Sequence, residues 1–139
     1  MKLNELLEQA QDAFAFLLDR GFKLNSRKPA ASEAFKDGWH LEYQSPSMGV
    51  RVQYYDDQFD VIFRRDAKEA LYLIIDQELY ARRSGFSGDM FPREKLGPAI
   101  ARIADDIAKN YSNVLSGDPI LWRRIEDILA APSAKKRLP

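Results

Sequence analysis

The chain contains a single histidine, His40, and one glycine-rich segment with a serine that could act as a nucleophile. The segment reads Ser84-Gly85-Phe86-Ser87-Gly88-Asp89, and it matches a G-x-S-x-G nucleophile elbow only in part because Gly88 follows Ser87 directly. It also lacks the lysine of a phosphate-binding loop. A hydrolase-like enzyme that uses Ser87 or His40 is one hypothesis. No motif names a reaction, however, so no catalytic residue is assigned.

Three carboxylates, Asp56, Asp57 and Asp60, crowd one short polar stretch. Carboxylates bind hard cations, but an EF-hand loop counted from Asp56 would put Val61 where glycine belongs and Ala67 where glutamate belongs. We therefore predict no metal site and no cofactor here. Aspartates are common in tight turns, and this stretch is predicted to be an acidic hairpin that could contact a partner.

Two arginines, Arg123 and Arg124, lie early in the last predicted helix, where a helix-turn-helix protein makes base contacts. A DNA-binding module that uses this helix is a further alternative. Against it, Glu126 and Asp127 follow at once, and the chain balances 21 Lys and Arg with 21 Asp and Glu. Nucleic-acid binders normally carry an excess of basic residues, so the balanced charge disfavours a nucleic-acid partner.

The composition is that of one globular domain. The chain has 139 residues, of which 45% are hydrophobic and 30% charged, and it has no cysteine. Packing alone must therefore stabilise the fold, without disulfides or cysteine-bound metal. The longest apolar runs, 13–18 and 70–75, are too short to cross a bilayer, and charges interrupt the first residues where a secretory signal would need an apolar stretch. We expect a cytoplasmic protein with no membrane partner, a single domain over 1–132 and a flexible basic tail over 133–139.

Apolar residues recur at helical spacing at the start of the chain, which predicts a helix over 3–20 that Gly21 ends. A short strand over 22–24 is predicted to follow. Residues 25–37 are polar and contain Pro29, so they are predicted to form a loop.

Three segments then alternate apolar and polar residues with a period of two, which is typical of strands with one buried face. These segments are Trp39–Ser45, Gly49–Tyr55 and Phe59–Arg65. The short polar connections between them predict an antiparallel meander.

The alternation also predicts the strand register. Pairing Leu41 with Val52 places both on one face and sets Glu42 opposite Arg51 on the other. Pairing Val52 with Phe63 extends the same apolar face into the third strand. A slip of one residue would place apolar side chains against polar ones.

The rest of the chain is predicted to be mostly helical. Residues 69–83 are ambiguous, and we favour a fourth strand over 71–75 that passes into a short helix over 76–83. Pro98 suits the first turn of a helix, and Asp118 suits the cap of the last one. The whole pattern predicts an α+β fold: an N-terminal helix, an antiparallel meander of three to four strands, and C-terminal helices packed on one sheet face.

Helices on one face leave the other face of the sheet exposed. That face would carry His40, Glu42, Gln44, Arg51, Gln53, Tyr55, Asp60, Ile62 and Arg64. Tyrosine and arginine are enriched in protein interfaces, so we expect partner binding here and at the acidic hairpin. The candidate partner-binding residues are Arg51, Tyr55, Asp56, Asp57, Asp60 and Arg64.

The first half of the chain resembles a recurrent pattern in small bacterial proteins, some of which are similar to immunity proteins of polymorphic toxin systems. The matching stretches are Phe14-Ala15-Phe16-Leu17-Leu18, Gly21-Phe22, Tyr43-x-Ser45, Val50-x-Val52-x-Tyr54-Tyr55-Asp56 and Phe59-x-Val61-x-Phe63. The resemblance implies a small cytoplasmic α+β protein that binds a partner, such as a toxin, and performs no chemistry. The leading hypothesis is therefore a non-enzymatic protein-binding module. Unpaired strand edges could in addition support a homodimer.

Overall fold

The computed structural model describes residues 2–33 and 37–131 of the chain. An N-terminal helical segment is followed by a five-stranded antiparallel sheet and then by further helices, so the predicted α+β fold is confirmed. The predicted basic tail over 133–139 lies outside the described residues.

The N-terminal segment forms two helices, α1 (Leu3–Ala13) and α2 (Phe16–Asp19). The prediction of one continuous helix over 3–20 is therefore wrong, because a turn at Phe14 interrupts it. Phe14 at the turn and Leu17 of α2 are both fully buried.

Five strands form the sheet in the order of the sequence. They are β1 (Lys23–Lys28), β2 (Trp39–Gln44), β3 (Gly49–Tyr55), β4 (Gln58–Arg65) and β5 (Lys68–Leu71). The predicted antiparallel meander is confirmed, but it has five strands instead of three to four. The prediction of a loop over 25–37 is wrong for residues 25–28, which belong to β1. This edge strand is mostly exposed, and its pairing with β2 has an irregularity between Leu24 and Ser26.

The register between β2 and β3 is as predicted, with Leu41 opposite Val52. The predicted register between β3 and β4 is wrong by two residues, because Val52 pairs with Val61 and not with Phe63. Asp56 and Asp57 both have positive φ, 51° and 65°, and form a tight two-residue turn. Since an offset of two residues keeps every side chain on its face, the predicted apolar face is still correct.

The ambiguous segment also differs from the prediction. The fourth strand of the prediction was placed over 71–75, but β5 ends at Leu71 and α3 covers Tyr72–Glu78. Helical geometry buries both Tyr72 and Ile75, three residues apart. Ala81 and Arg82 then adopt positive φ, which prevents a helix up to residue 83.

The last three helices are α4 (Arg93–Asn110), α5 (Ser112–Leu115) and α6 (Pro119–Ala130). The prediction that Pro98 lies in the first turn is wrong, since α4 begins at Arg93 and includes Pro98 in its interior. Leu96 is fully buried, so the earlier start gains a core residue. Asp118 caps α6 as predicted by accepting a hydrogen bond from the amide of Ile120 at 3.0 Å.

The helices cover one face of the sheet. Val52, Phe63 and Trp39 on that face are fully buried, and they belong to the same core as residues from α1, α4, α5 and α6. The core is therefore a single layer between sheet and helices, as the apolar stripes require.

Candidate functional site

The opposite face of the sheet, which we call the open face, can be listed row by row from the strand register. Its rows are Tyr55–Gln58, Lys28–His40–Gln53–Asp60, Ser26–Glu42–Arg51–Ile62–Leu71 and Lys23–Gln44–Gly49–Arg64–Glu69. Except for Asp60, Ile62 and Gly49, all of these residues are half-buried or exposed. Within the described residues, helices therefore do not cover this face over β1, β2 and β3.

Arg51 is held at the centre of the open face by two glutamates. Its Nε donates to Glu42 Oε1 at 3.0 Å, and its terminal nitrogen lies 4.0 Å from Glu69 Oε2. The Arg51 side chain keeps 34% of its exposure, so it remains available to a partner. A depression of about 60 Å³ lies beside the Arg51 side chain. Arg64 also lines this depression, and so does Gly49, which has no side chain.

His40 lies between two hydroxyl groups on neighbouring strands. Its Nε2 is 3.3 Å from Ser26 Oγ, and its Nδ1 is 3.4 Å from the hydroxyl of Tyr55. Partial burial raises the pKa of Tyr55. A serine beside an imidazole is the pairing of nucleophile and base that a hydrolase needs, although a phenol takes the place of the usual orienting carboxylate.

The structure does not bring His40 and Ser87 into hydrogen-bond contact; Ser87 is exposed in the segment between α3 and α4. Sequence reasoning missed Ser26 as the neighbour of His40. Its position depends on the pairing of β1 with β2, and the residues of β1 carry no clear alternation.

The acidic turn is divided between surface and structure. Asp56 is exposed at its tip. Asp57 is half-buried, its Oδ1 lies 3.2 Å from the Tyr54 hydroxyl, and its carbonyl accepts from the Phe91 amide at 2.7 Å. Burial, together with the Asp57 carboxylate, raises the pKa of Tyr54. Asp57 therefore helps to hold the turn against the segment that contains Phe91.

Asp60 is not on an exposed surface, contrary to the prediction, because only 9% of it is accessible. Residues 89–91 lie along the start of β4: the Phe59 amide donates to the Asp89 carbonyl at 2.8 Å, and Gln58 forms an isolated bridge with Met90. Burial, and next the neighbouring Asp89 carboxyl, raises the pKa of Asp60 to about 7. Ile62, also predicted to be exposed, is likewise 9% accessible.

The remaining predicted residue, Arg64, is exposed, and its Nε donates to the Asp66 carbonyl at 3.3 Å. The structure thus places Arg51, Tyr55 and Arg64 on the open face, with Arg51 and Arg64 lining the same depression and Tyr55 at the other end of β3. It places the acidic turn at one end of that face, and Asp60 close to the 89–91 segment, which pairs alongside the start of β4.

Two further carboxylates were missed by sequence reasoning. Asp76 of α3 is fully buried and accepts hydrogen bonds from the amide and hydroxyl of Ser84, at 3.0 and 2.6 Å. Asp106 of α4 accepts from the Tyr72 hydroxyl at 2.7 Å and from Arg83 Nε at 3.0 Å. Both fasten the turn after α3 to the helices. No spacing in the sequence distinguishes these acids from solvated ones.

Arg123 and Arg124 are both exposed on α6, and Asp127 is exposed in the following turn. The indole of Trp122 donates to the Val114 carbonyl at 3.0 Å and fixes α6 against α5. The surface of α6 is therefore mixed in charge.

Within residues 2–33 and 37–131, no group of three or more histidine, aspartate or glutamate side chains is arranged to hold a metal ion. No helix in the described part of the chain is long and apolar enough to span a membrane. Comparisons with protein-family models, curated proteins and solved structures found no significant match.

Proposed function

We propose that the protein is a non-enzymatic binding module that holds another protein on its open face. Arg51, Tyr55 and Arg64 form the contact surface, and Asp56 and Asp57 form its acidic margin. The observation that supports this proposal is the contrast between the two faces of the sheet. Helices cover one face, whereas on the polar face the side chains of β1, β2 and β3 remain accessible.

The open face is organised before any partner arrives. Arg51 is held by Glu42 and Glu69, and Tyr55 is held by His40. Side chains that are already ordered lose less conformational entropy on binding. Arginine and tyrosine are also among the residues that contribute most to binding energy in interfaces. These properties favour recognition of a folded protein by a rigid surface.

The charges of this surface favour an acidic partner. Glu42 and Glu69 both face Arg51, whereas Lys23 and Arg64 make no ion pair with any of the described residues. Because this row holds Lys23 and Arg64 against one acidic residue, Glu69, its net charge is positive, and complementary charge on a partner would speed association. An immunity-like role, in which the partner is a toxin neutralised in the cytoplasm, is the specific form of the proposal that the sequence resemblance supports.

The test begins with a photoreactive amino acid at Gln53, in the middle of the open face, in the cell of origin. A matched protein carries the same group at Ala101, which is exposed on α4. We expect a protein adduct of defined mass from position 53 and none from position 101. The adduct identifies the partner, which is then purified for affinity measurements.

Arg51→Ala and Tyr55→Ala should each weaken binding of the purified partner by about 30-fold, which corresponds to about 2 kcal/mol at an interface hot spot. Lys109→Ala on α4 serves as the surface control and should leave the affinity unchanged. Wild-type affinity in both open-face variants would contradict the proposal, as would an adduct that forms only from position 101.

A further inference from the structure

The 89–91 segment is fastened to the start of β4 through backbone and side chains together. The Phe59 amide donates to the Asp89 carbonyl at 2.8 Å, and the Phe91 amide donates to the Asp57 carbonyl at 2.7 Å. The Gln58 side chain adds a third link, since its Nε2 lies 3.0 Å from Asp60 Oδ2 and 2.8 Å from Asp89 Oδ2. One amide group thus bridges two carboxyl groups.

This bridge holds the two carboxyl groups close together, because an oxygen of each lies within 3.0 Å of the same Gln58 nitrogen. Two carboxylates held this close repel each other, so one of them retains a proton more readily than an isolated carboxylate does. Asp60 is the more buried of the two, and the proton therefore resides on Asp60.

We propose that this proton acts as a latch: it holds the 89–91 segment against β4, and its loss releases the segment. The latch does not depend on the partner proposed above. Release would expose Asp60 at the end of the open face.

The surroundings of the pair offer no positive charge to replace the proton. Asp60 is faced by the amides of Gln53 from β3 and Gln58 from β4, and by Asp89 from the segment itself. Tyr72 of α3 lines the same small cavity, but its hydroxyl donates to Asp106. No lysine or arginine among the described residues forms an ion pair with Asp60 or Asp89. The apolar side chains around that cavity are Phe59, Val61, Leu73, Phe86, Phe91 and Ile103.

The direction of the pH effect follows from the pKa of Asp60 in two states, with the 89–91 segment attached to β4 and with it released. In the closed latch its pKa is raised to about 7 by burial and by Asp89, whereas the ordinary aspartate value is 3.8. The attachment is therefore most stable below pH 4. It weakens as the pH rises towards 7, because the released state loses its proton more readily. Above pH 7 both states are deprotonated and no further change is expected.

The test combines two NMR measurements on the full chain between pH 4.5 and 8.5. Carboxyl carbon shifts report the titration of Asp60, which should have its midpoint near 7. Hydrogen exchange of the Phe59 and Phe91 amides, corrected for the intrinsic pH dependence of exchange, reports opening of the latch. Protection should fall by up to about tenfold per pH unit below pH 7 and then level off.

Asp60→Asn supplies a donor that does not titrate, so protection of both amides should become independent of pH. Asp105→Asn, which changes an exposed carboxylate on α4, should retain the wild-type dependence. The latch is refuted by an Asp60 midpoint near 4 in the wild type, by wild-type protection that does not change with pH, or by an Asp60→Asn protein with the wild-type profile. The first two outcomes need no variant.

Discussion

The two faces of the sheet are built from alternate residues of the same strands, yet they have different roles. On the helix-covered face Val52 and Phe63 are fully buried in the core. On the open face their neighbours Arg51 and Gln53 are half-buried and make polar contacts. Packing constrains the first set, whereas the second set can meet a partner without loss of stability. The strands thus separate stability from recognition by the direction in which each side chain points.

On β4 this division between a buried face and an accessible face does not hold. Asp60 and Ile62 belong to the open face by register, but both are only 9% accessible. Asp60 borders a small cavity that is lined by Asp89 and Phe91 of the later segment and by Tyr72, Leu73 and Phe86. A position on the open face therefore does not by itself guarantee exposure.

The largest expected effect is on the helix-covered face. Phe63→Ala removes a ring that stacks on Tyr111 with centroids 5.6 Å apart, and it should lower the free energy of unfolding by about 3–5 kcal/mol. Lys23→Ala, at an exposed position of the open face, should change it by less than about 0.5 kcal/mol. Urea unfolding of the two variants measures the contrast, and similar losses in both would show that the open face is also packed.

A smaller effect of opposite sign is expected at Tyr111. Its ring packs among aromatic side chains, but its buried hydroxyl has no hydrogen-bond partner among the described residues. Tyr111→Phe keeps the ring and removes the unpaired polar group, so it should stabilise the protein by about 1 kcal/mol. Thermal unfolding provides the measurement. A loss of stability would mean that the hydroxyl is satisfied in solution.

The smallest effect is expected for the ion pair on the open face. Glu42→Ala leaves Arg51 beside Glu69 and should cost about 0.2–1 kcal/mol, because exposed ion pairs contribute little. The loss should shrink further in high salt, whereas that of Phe63→Ala should not. Equal salt sensitivity of the two variants would remove the distinction between the faces.

Much of the candidate site was predictable from alternation alone. The pattern of β2 and β3 placed Arg51 and Tyr55 on the same face and set Glu42 opposite Arg51, as the structure confirms. The buried carboxylates could not be predicted in this way. The burial of Asp60 depends on a segment about 30 residues later in the chain that has no periodic pattern of its own.

The sequence by itself determined the α+β class, the antiparallel meander and the division of the strands into apolar and polar faces. It could do so because period-two alternation is local and survives an error of two residues in register. Only the tertiary structure decided which polar residues remain accessible, that Ser26 lies beside His40, and that Asp60 meets Asp89. These results depend on which distant segments pack together, and that choice is made by the burial of the whole core rather than by any local pattern.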